Sequence, residues 1–99
     1  MTITEKRNED TLILELEGRL DTTTAPELEE VVKTKLDGVA HLTLDMEKLE
    51  YVSSAGLRVI LTAQKIMNKQ GDMKLVHVNE LVMEVFEVTG FVDVLNIEQ

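Results

Sequence analysis

Three segments of the chain tend to alternate apolar and polar residues, and this pattern restricts the possible folds more than any other. It occurs in Thr11–Glu17, Val39–Asp45 and Met73–Val78. Successive side chains of a β-strand point to opposite faces of the sheet, so alternation indicates strands with one buried face and one exposed face. Strands buried on both faces would be continuously apolar. The pattern therefore predicts a sheet that helices cover mainly on one side.

Turn and capping residues divide the rest of the chain into further elements. Capping-box spacing at Thr24–Glu27, with proline in the first turn, predicts one helix start, and Asn79 predicts another. The first predicted elements are strand Thr2–Arg7, a turn at Asn8–Asp10, strand Thr11–Glu17 and a break at Gly18–Thr23. A helix capped at Thr24 and stopping at Gly38, strand Val39–Asp45 and a helix from Ser53 and Ser54 to Gly71 follow. The last predicted elements are strand Met73–Val78, a helix from Asn79 to Thr89-Gly90, and a short strand or extended tail over Val92–Ile97.

This order predicts a single two-layer α/β domain over residues 1–99 with a mixed β-sheet. The opening hairpin is antiparallel, whereas the later crossovers make parallel neighbours. In such sheets the loops at the carboxyl ends of the parallel strands carry the functional sites. That rule points to Asp45–Ser54 and to the neighbouring loop Asp21–Thr24. Asp21 and Asp45 each end a predicted strand there, although capping or turn formation is the usual role of such an aspartate.

The stretch Leu49–Leu61 contains the most unusual helix start in the chain. An apolar run ends at Val52, two serines follow, and a helical pattern begins without a loop. Serine is a good N-cap because its oxygen accepts a hydrogen bond from an unpaired backbone N–H of the first turn. Gly56 lies in that first turn, where glycine costs about 1 kcal/mol relative to alanine. Spacing alone favours a purely structural cap, but the small residues and free N–H groups also suit an anion or a docking protein.

Composition and missing motifs exclude several classes of function. The net charge is −9 and there is no cysteine, so nucleic-acid binding, thiolate catalysis and Cys-ligated zinc are not expected. No apolar run is long enough to span a membrane, and no signal peptide is recognisable at the N-terminus, which predicts a cytoplasmic protein without a membrane partner.

No catalytic set can be assembled from the sequence. The Gly-x-Ser-x-Gly pattern of serine hydrolases fails because Val52 lies two residues before Ser54. His41 and His77 fall in predicted strands, where half-buried packing or hydrogen bonding is the common role, and their spacing does not fit a metal site. The expectation is a non-enzyme without a metal or cofactor.

Phosphorylation of the serine is chemically more attractive than catalysis. A phosphoryl group adds about −1.5 to −2 charges, which a helix N-terminus tolerates. Arg58 lies one turn beyond Ser54 and could accompany the phosphate or a partner's acidic group. The alternative interpretation of Arg58 is an ordinary solvated arginine. A partner docked on this surface would meet a new anion, so modification would release it without unfolding the chain.

The stretch Leu49–Leu61 closely resembles the signature of STAS domains, and specifically of the bacterial anti-sigma factor antagonists. The similarity extends over nearly the whole chain, through Gly18-Arg19-Leu20-Asp21 with Thr24-Ala25, Leu42-Thr43-Leu44-Asp45 and Thr89-Gly90-Phe91. Two positions depart from the pattern of several relatives. Ser53 stands where they have aspartate, and Ala55 stands where some have a second serine.

The resemblance implies a phosphorylation cycle. It implies that the unphosphorylated chain binds an anti-sigma factor, itself a serine kinase, and so frees the sigma factor. Phosphorylation at Ser54, with Ser53 as the alternative acceptor, would release the partner, and a serine phosphatase would restore binding. The expected partner-binding residues are Asp21, Thr22, Thr23, Ser53, Ser54, Ala55, Gly56 and Arg58. The family also supplies the alternative function, a constitutive adaptor subunit of a larger signalling or lipid-transport assembly.

Overall fold

A computed structural model describes residues 1–98, and Gln99, the last residue of the predicted domain, lies outside the described residues. The described chain forms strands β1 (Thr2–Asn8) and β2 (Thr11–Leu20), helix α1 (Ala25–Lys35), strand β3 (His41–Val52), helix α2 (Ser54–Gln70), strand β4 (Asp72–Val76), helix α3 (Glu80–Thr89), a short 3-10 helix (Phe91–Asp93) and strand β5 (Ile97–Glu98). None of the described helices combines the length and the apolarity needed to cross a membrane.

The five described strands form one mixed sheet in the order β1-β2-β3-β4-β5. Strand β1 is antiparallel to β2, and every later pair is parallel. The predicted mixed sheet and the predicted α/β fold class are therefore confirmed.

Alternation along the strands places one face of the sheet in the core. Helix α1 buries Ala25, Leu28 and Val32, and its exposed side carries an ion pair between Glu29 and Lys33, with 3.8 Å between Nζ and Oε2. The core side chains of the strands are Leu12, Leu14, Leu16, Leu42, Leu44, Met46, Met73 and Leu75, and those of the helices include Leu28, Val32, Leu57, Ile60, Met67, Val82 and Phe86. One sheet face therefore packs against the helices, as predicted.

Two strands run further than the sequence predicts. Strand β2 continues past Glu17 to Leu20 through Gly18, whose φ of 102° lies in the left-handed region, and strand β3 continues past Asp45 to Val52. The pairing of β2 with β3 shifts register between Glu15 and Glu17 and again between Gly18 and Arg19. These irregularities interrupt the simple alternation, which is why the sequence pattern ends each strand too early.

The termini of the second and third helices agree with their predicted capping residues. Ser53 and Asn79 accept hydrogen bonds from the backbone N–H groups of Gly56 and Val82, at 3.3 and 2.8 Å. Gly90 ends α3 in the left-handed conformation. Gly71 ends α2, and glycine is required there because a β-carbon would overlap the carbonyl of Ala40.

The capping box predicted at Thr24 is wrong. Thr24 has helical backbone angles, and its hydroxyl makes no cap bond to the helix. It donates instead to the carbonyl of Arg19 at 2.7 Å and accepts from the N–H of Asp21 at 2.9 Å.

The tail over Val92–Ile97 is also more complex than predicted, since a 3-10 turn precedes the two-residue strand β5.

Candidate functional site

The two loops expected to form the site lie side by side. Leu20 and Val52, the last residues of β2 and β3, are register partners in the parallel sheet. The N–H of Ser53 donates to the carbonyl of Leu20 at 2.8 Å. The residues that follow, Asp21 in one loop and Ser54 in the other, therefore leave the same edge of the sheet from hydrogen-bonded neighbours.

The two serines occupy different environments. Ser53 is half-buried, and its hydroxyl oxygen accepts the N–H of Gly56 as the helix cap. Ser54 is the first residue of α2 and is exposed, and its hydroxyl makes no hydrogen bond to the described residues 1–98. The hydroxyl available to an outside reagent is therefore that of Ser54.

The first turn of α2 retains the positive character of a helix N-terminus. Gly56 donates to Ser53 Oγ, and Leu57 donates to the Ser53 carbonyl at 2.9 Å. The N–H groups of Ser54 and Ala55 have no backbone partner within residues 1–98. No acidic side chain lies in this turn, so no residue of the turn itself offsets the partial positive charge of the helix end.

Gly56 is buried by the chain itself. A β-carbon at this position would lie 2.6 Å from Cγ and 3.0 Å from the carbonyl oxygen of Leu20, which is fully buried. The residue that approaches Gly56 closely is therefore Leu20 of β2. Gly56 packs the first turn of α2 against Leu20, and its own atoms are not part of the exposed surface.

Asp21 organises the turn that leads into α1. Its Oδ1 accepts from the N–H groups of Thr23 and Thr24 at 3.0 and 3.2 Å. The hydrogen bond from the Thr24 backbone is the main reason that the pKa of the Asp21 carboxyl lies below its usual value, and Arg19 beside it acts in the same direction. Asp21 thus has the turn-forming role expected of an aspartate in such a loop, and it fixes the exposed residues Thr22 and Thr23.

A shallow groove between α1 and α2 brings several of the predicted site residues together. Thr22, Ala55 and Arg58 all line it, and the floor and walls are completed by Ala25, Pro26, Glu29, Val59 and Thr62. Arg58 is exposed and forms no ion pair with a described residue. The groove therefore offers a free cation and small apolar side chains beside the exposed serine.

Asp45 does not belong to this site. It lies within β3, seven residues before the strand ends, because the strand continues to Val52. The expectation that Asp45 ends a strand beside the serines is therefore wrong. Its side chain faces the sheet surface that the helices leave uncovered, where Oδ1 accepts a 3.0 Å hydrogen bond from His77 Nδ1.

The two histidines agree with the prediction in part, because each is hydrogen-bonded to an aspartate, His41 to Asp72 and His77 to Asp45. Both are exposed rather than half-buried, and His77 lies just after β4 with a left-handed φ of 57°. The Asp45 carboxylate raises the pKa of His77 through this hydrogen bond and through its charge. Partial burial alone would raise the pKa of Asp45, but the hydrogen bonds from His77 and from the Glu47 N–H outweigh it and lower that pKa.

One group of side chains within the described residues has donor atoms close enough to hold a metal ion. Donor atoms of Asp45, Glu47 and His77 lie within 4.8 Å of one another. The sequence did not predict this grouping, because Asp45 and Glu47 lie on β3 and His77 follows β4, and only the tertiary structure places them side by side. An ion here would have to replace the existing hydrogen bond between His77 and Asp45.

Comparison with known proteins identifies the family. The model of the STAS domain family matches residues 2–99. The chain is 30% identical to the anti-sigma-B factor antagonist of Bacillus subtilis over 93 residues, which cover 93% of this chain and 85% of that protein. The chain belongs to the STAS domain family.

Other relatives extend the similarity in sequence and in structure. The chain is 35% identical over 96 residues to BtrV of Bordetella bronchiseptica, a candidate anti-sigma factor antagonist, and the match covers 95% of this chain and 83% of BtrV. An anti-sigma factor antagonist from Mycobacterium paratuberculosis superposes with a TM-score of 0.86 at 20% identity, over 97% of this chain and 83% of that one. The phosphorylated form of the Bacillus cell fate determinant SpoIIAA superposes with a TM-score of 0.76 at 17% identity, over 99% and 92% of the two chains. These superpositions show that the STAS fold is shared.

Proposed function

We propose that this STAS domain protein, a single domain over residues 1–99, is a cytoplasmic anti-sigma factor antagonist that phosphorylation of Ser54 switches off. In its unphosphorylated form it binds an anti-sigma factor that is also a serine kinase, and the sigma factor is released. A serine phosphatase restores the binding form. The chain itself performs no catalysis in this cycle.

The observation that carries the proposal is the different state of the two serines. The Ser53 hydroxyl already caps α2, whereas the Ser54 hydroxyl is exposed and unengaged within the described chain. A kinase can therefore approach the Ser54 oxygen without breaking the helix cap. The names of the relatives support the antagonist role, and the phosphorylated form of SpoIIAA supports modification as the means of regulation.

The helix start favours a phosphate at Ser54. The unpaired N–H groups of Ser54 and Ala55 and the absence of acidic residues in the first turn leave the helix end able to stabilise an anion, by about 0.3–1 kcal/mol. Arg58 follows one turn later on the same side of the helix. Phosphorylation should therefore leave the fold intact.

Partner release then follows from the surface. We infer that the anti-sigma factor covers the exposed residues Thr22, Thr23 and Ser54, the half-buried Ala55 and the groove beside Arg58. Asp21, Ser53 and Gly56 hold these residues in place. A phosphate adds about −1.5 to −2 charges in the middle of this contact. Burying that charge without a complementary group is unfavourable, so the complex dissociates.

The proposal is tested with matched serine variants. Ser54→Ala removes the exposed hydroxyl, and Ser53→Asn removes the other hydroxyl while retaining a residue that caps helices equally well. The cognate kinase and ATP should phosphorylate the wild type and Ser53→Asn, and peptide mass mapping should place the phosphate at residue 54. Modification of Ser54→Ala to the same extent would refute the site.

Partner binding is tested separately by affinity capture with wild-type and Ser54→Asp baits. Loss of the anti-sigma factor from the Ser54→Asp bait, by about tenfold in affinity or more, is expected. Equal capture of the same partners by both baits would support the constitutive adaptor instead.

A further inference from the structure

The exposed large apolar side chains of the described residues 1–98 are confined to one segment near the C-terminus. Leu81, Val88, Val92 and Val94 are 55%, 81%, 38% and 56% exposed. They lie on α3 and on the turn that follows it. Single exposed apolar residues are common on protein surfaces, but these four lie within fourteen residues of the chain, and grouped apolar side chains are a feature of interaction surfaces.

Helical geometry arranges this segment into three stripes. Val82 and Phe86 are fully buried and fix α3 to the core. Leu81, Val85 and Val88 follow one another at spacings of four and three residues, so they lie on one side of the helix. The acidic residues Glu80, Glu84 and Glu87 form a parallel stripe along the next side. Val92 and Val94 are exposed in the turn that follows the helix end.

The segment that carries the apolar stripe, α3 and the turn after it, contains acidic residues and no lysine or arginine. No lysine or arginine follows Lys74 in the chain. The glutamates of α3 form no ion pair with any residue of the described chain. An occupant that covers the apolar stripe therefore also meets an uncompensated row of carboxylates.

We propose that α3 and the following turn dock an amphipathic helix of another protein whose apolar side is edged by lysine or arginine. Apolar contact would supply the affinity, and the basic edge would complement the glutamate stripe. A second copy of this chain fits poorly, because two such surfaces would place like charges together in a protein of net charge −9.

This surface is separate from the one proposed to bind the anti-sigma factor. The groove beside Ser54 is formed by α1 and α2, and none of its lining residues comes from α3. Docking on α3 should therefore be independent of phosphorylation. The antagonist could hold a second partner whether or not Ser54 is modified.

The experiment uses a synthetic helical peptide of fourteen leucine and lysine residues, about 21 Å long, titrated into the full ¹⁵N-labelled protein. Chemical-shift changes are expected at Leu81, Val85, Val88 and Val92, with a single binding site. Val88→Ser, a change at an exposed position, should weaken binding at least fivefold. Ser54→Asp should leave the affinity unchanged, so this result does not depend on the proposed switch.

Charge variants separate specific docking from general attraction to an acidic protein. Glu84→Lys with Glu87→Lys should abolish binding of the lysine peptide and permit binding of a leucine and glutamate peptide. Glu27→Lys with Glu30→Lys on α1 changes the net charge equally and should have little effect. Absence of binding, shifts spread over other acidic surfaces, or an equal loss in both charge variants would overturn the proposal. So would a dimer in sedimentation analysis that Val88→Ser disperses.

Discussion

Substitution of Gly56 by alanine tests how β2 supports the start of α2. Alanine should favour the helix by up to about 1 kcal/mol. Its β-carbon, however, would lie 2.6 Å from Cγ and 3.0 Å from Cδ2 of Leu20, which is fully buried and cannot swing into solvent. Overpacking of this kind costs about 1–3 kcal/mol. The expected net loss of unfolding free energy therefore lies between zero and about 3 kcal/mol.

The Leu20→Ala background isolates the contact. Leu20→Ala alone should cost about 2–5 kcal/mol because it empties a buried site. It also removes Cγ and Cδ2, so that only the Leu20 carbonyl, 3.0 Å from the added β-carbon, opposes alanine at position 56. In this background Gly56→Ala should be close to neutral or stabilising, which gives a coupling of about 1–3 kcal/mol between the two positions.

Urea unfolding monitored by circular dichroism measures the free energy of unfolding of the wild type, the two single variants and the double variant. In thermal unfolding, a loss of 1 kcal/mol corresponds to about 4–8 °C for a domain of this size. Stabilisation by Gly56→Ala in the wild-type background would mean that Leu20 leaves room for the methyl group. Equal effects in both backgrounds would mean that Leu20 is not the opposing residue. Either result refutes the packing argument.

Three further predictions concern other parts of the fold. Gly71→Ala should destabilise the protein more than Gly56→Ala, because its β-carbon would overlap backbone atoms of Ala40 that cannot rotate away, and urea unfolding compares the two. Asn79→Ala should cost about 0.5–2 kcal/mol in the same assay, since the side chain caps α3 and also donates to the carbonyl of Leu49, whereas Asn79→Asp should retain the cap. NMR titration should give His77 a pKa above its usual value, and Asp45→Asn should return the pKa towards that value. Because folding raises this pKa, the stabilisation is fully present below the unfolded value of about 6.5 and is lost as pH rises through the folded value, so the stability advantage over Asp45→Asn should shrink across that range.

The parts of the fold that the sequence predicts correctly are those determined by near neighbours. Ser53 and Asn79 each cap a helix through a bond to an N–H three residues away, and the first-turn glycine at position 56 was recognisable as costly. The sequence could not show that Leu20 is what opposes a side chain there. That contact depends on the pairing of β2 with β3 in the sheet, which is a property of the tertiary structure.

The misplacement of Asp45 has a similar cause. Inward-facing residues of β3 are Met46 and then Leu49, three positions apart, because the register with β2 shifts between them. A pattern with period two breaks at this point and indicates the end of a strand. The strand in fact continues to Val52. The hydrogen bond to Asp45 comes from His77, which follows the neighbouring strand β4 and is 32 residues away along the chain, so no local sequence pattern indicates it.

The same tertiary contacts explain why a modification at Ser54 should act on the surface alone. The backbone of Ser53 is bonded to Leu20, Gly56 rests on the Leu20 side chain, and Asp21 directly follows Leu20 and fixes its own turn by two backbone hydrogen bonds. Both loops are therefore anchored to the buried end of β2. Since none of these anchoring contacts uses the Ser54 hydroxyl, a phosphate attached there changes the charge of the exposed face while the atoms that position that face stay bonded. A switch built in this way releases its partner by altered charge and fit, and the free energy of unfolding of the phosphorylated protein should equal or slightly exceed that of the unmodified protein.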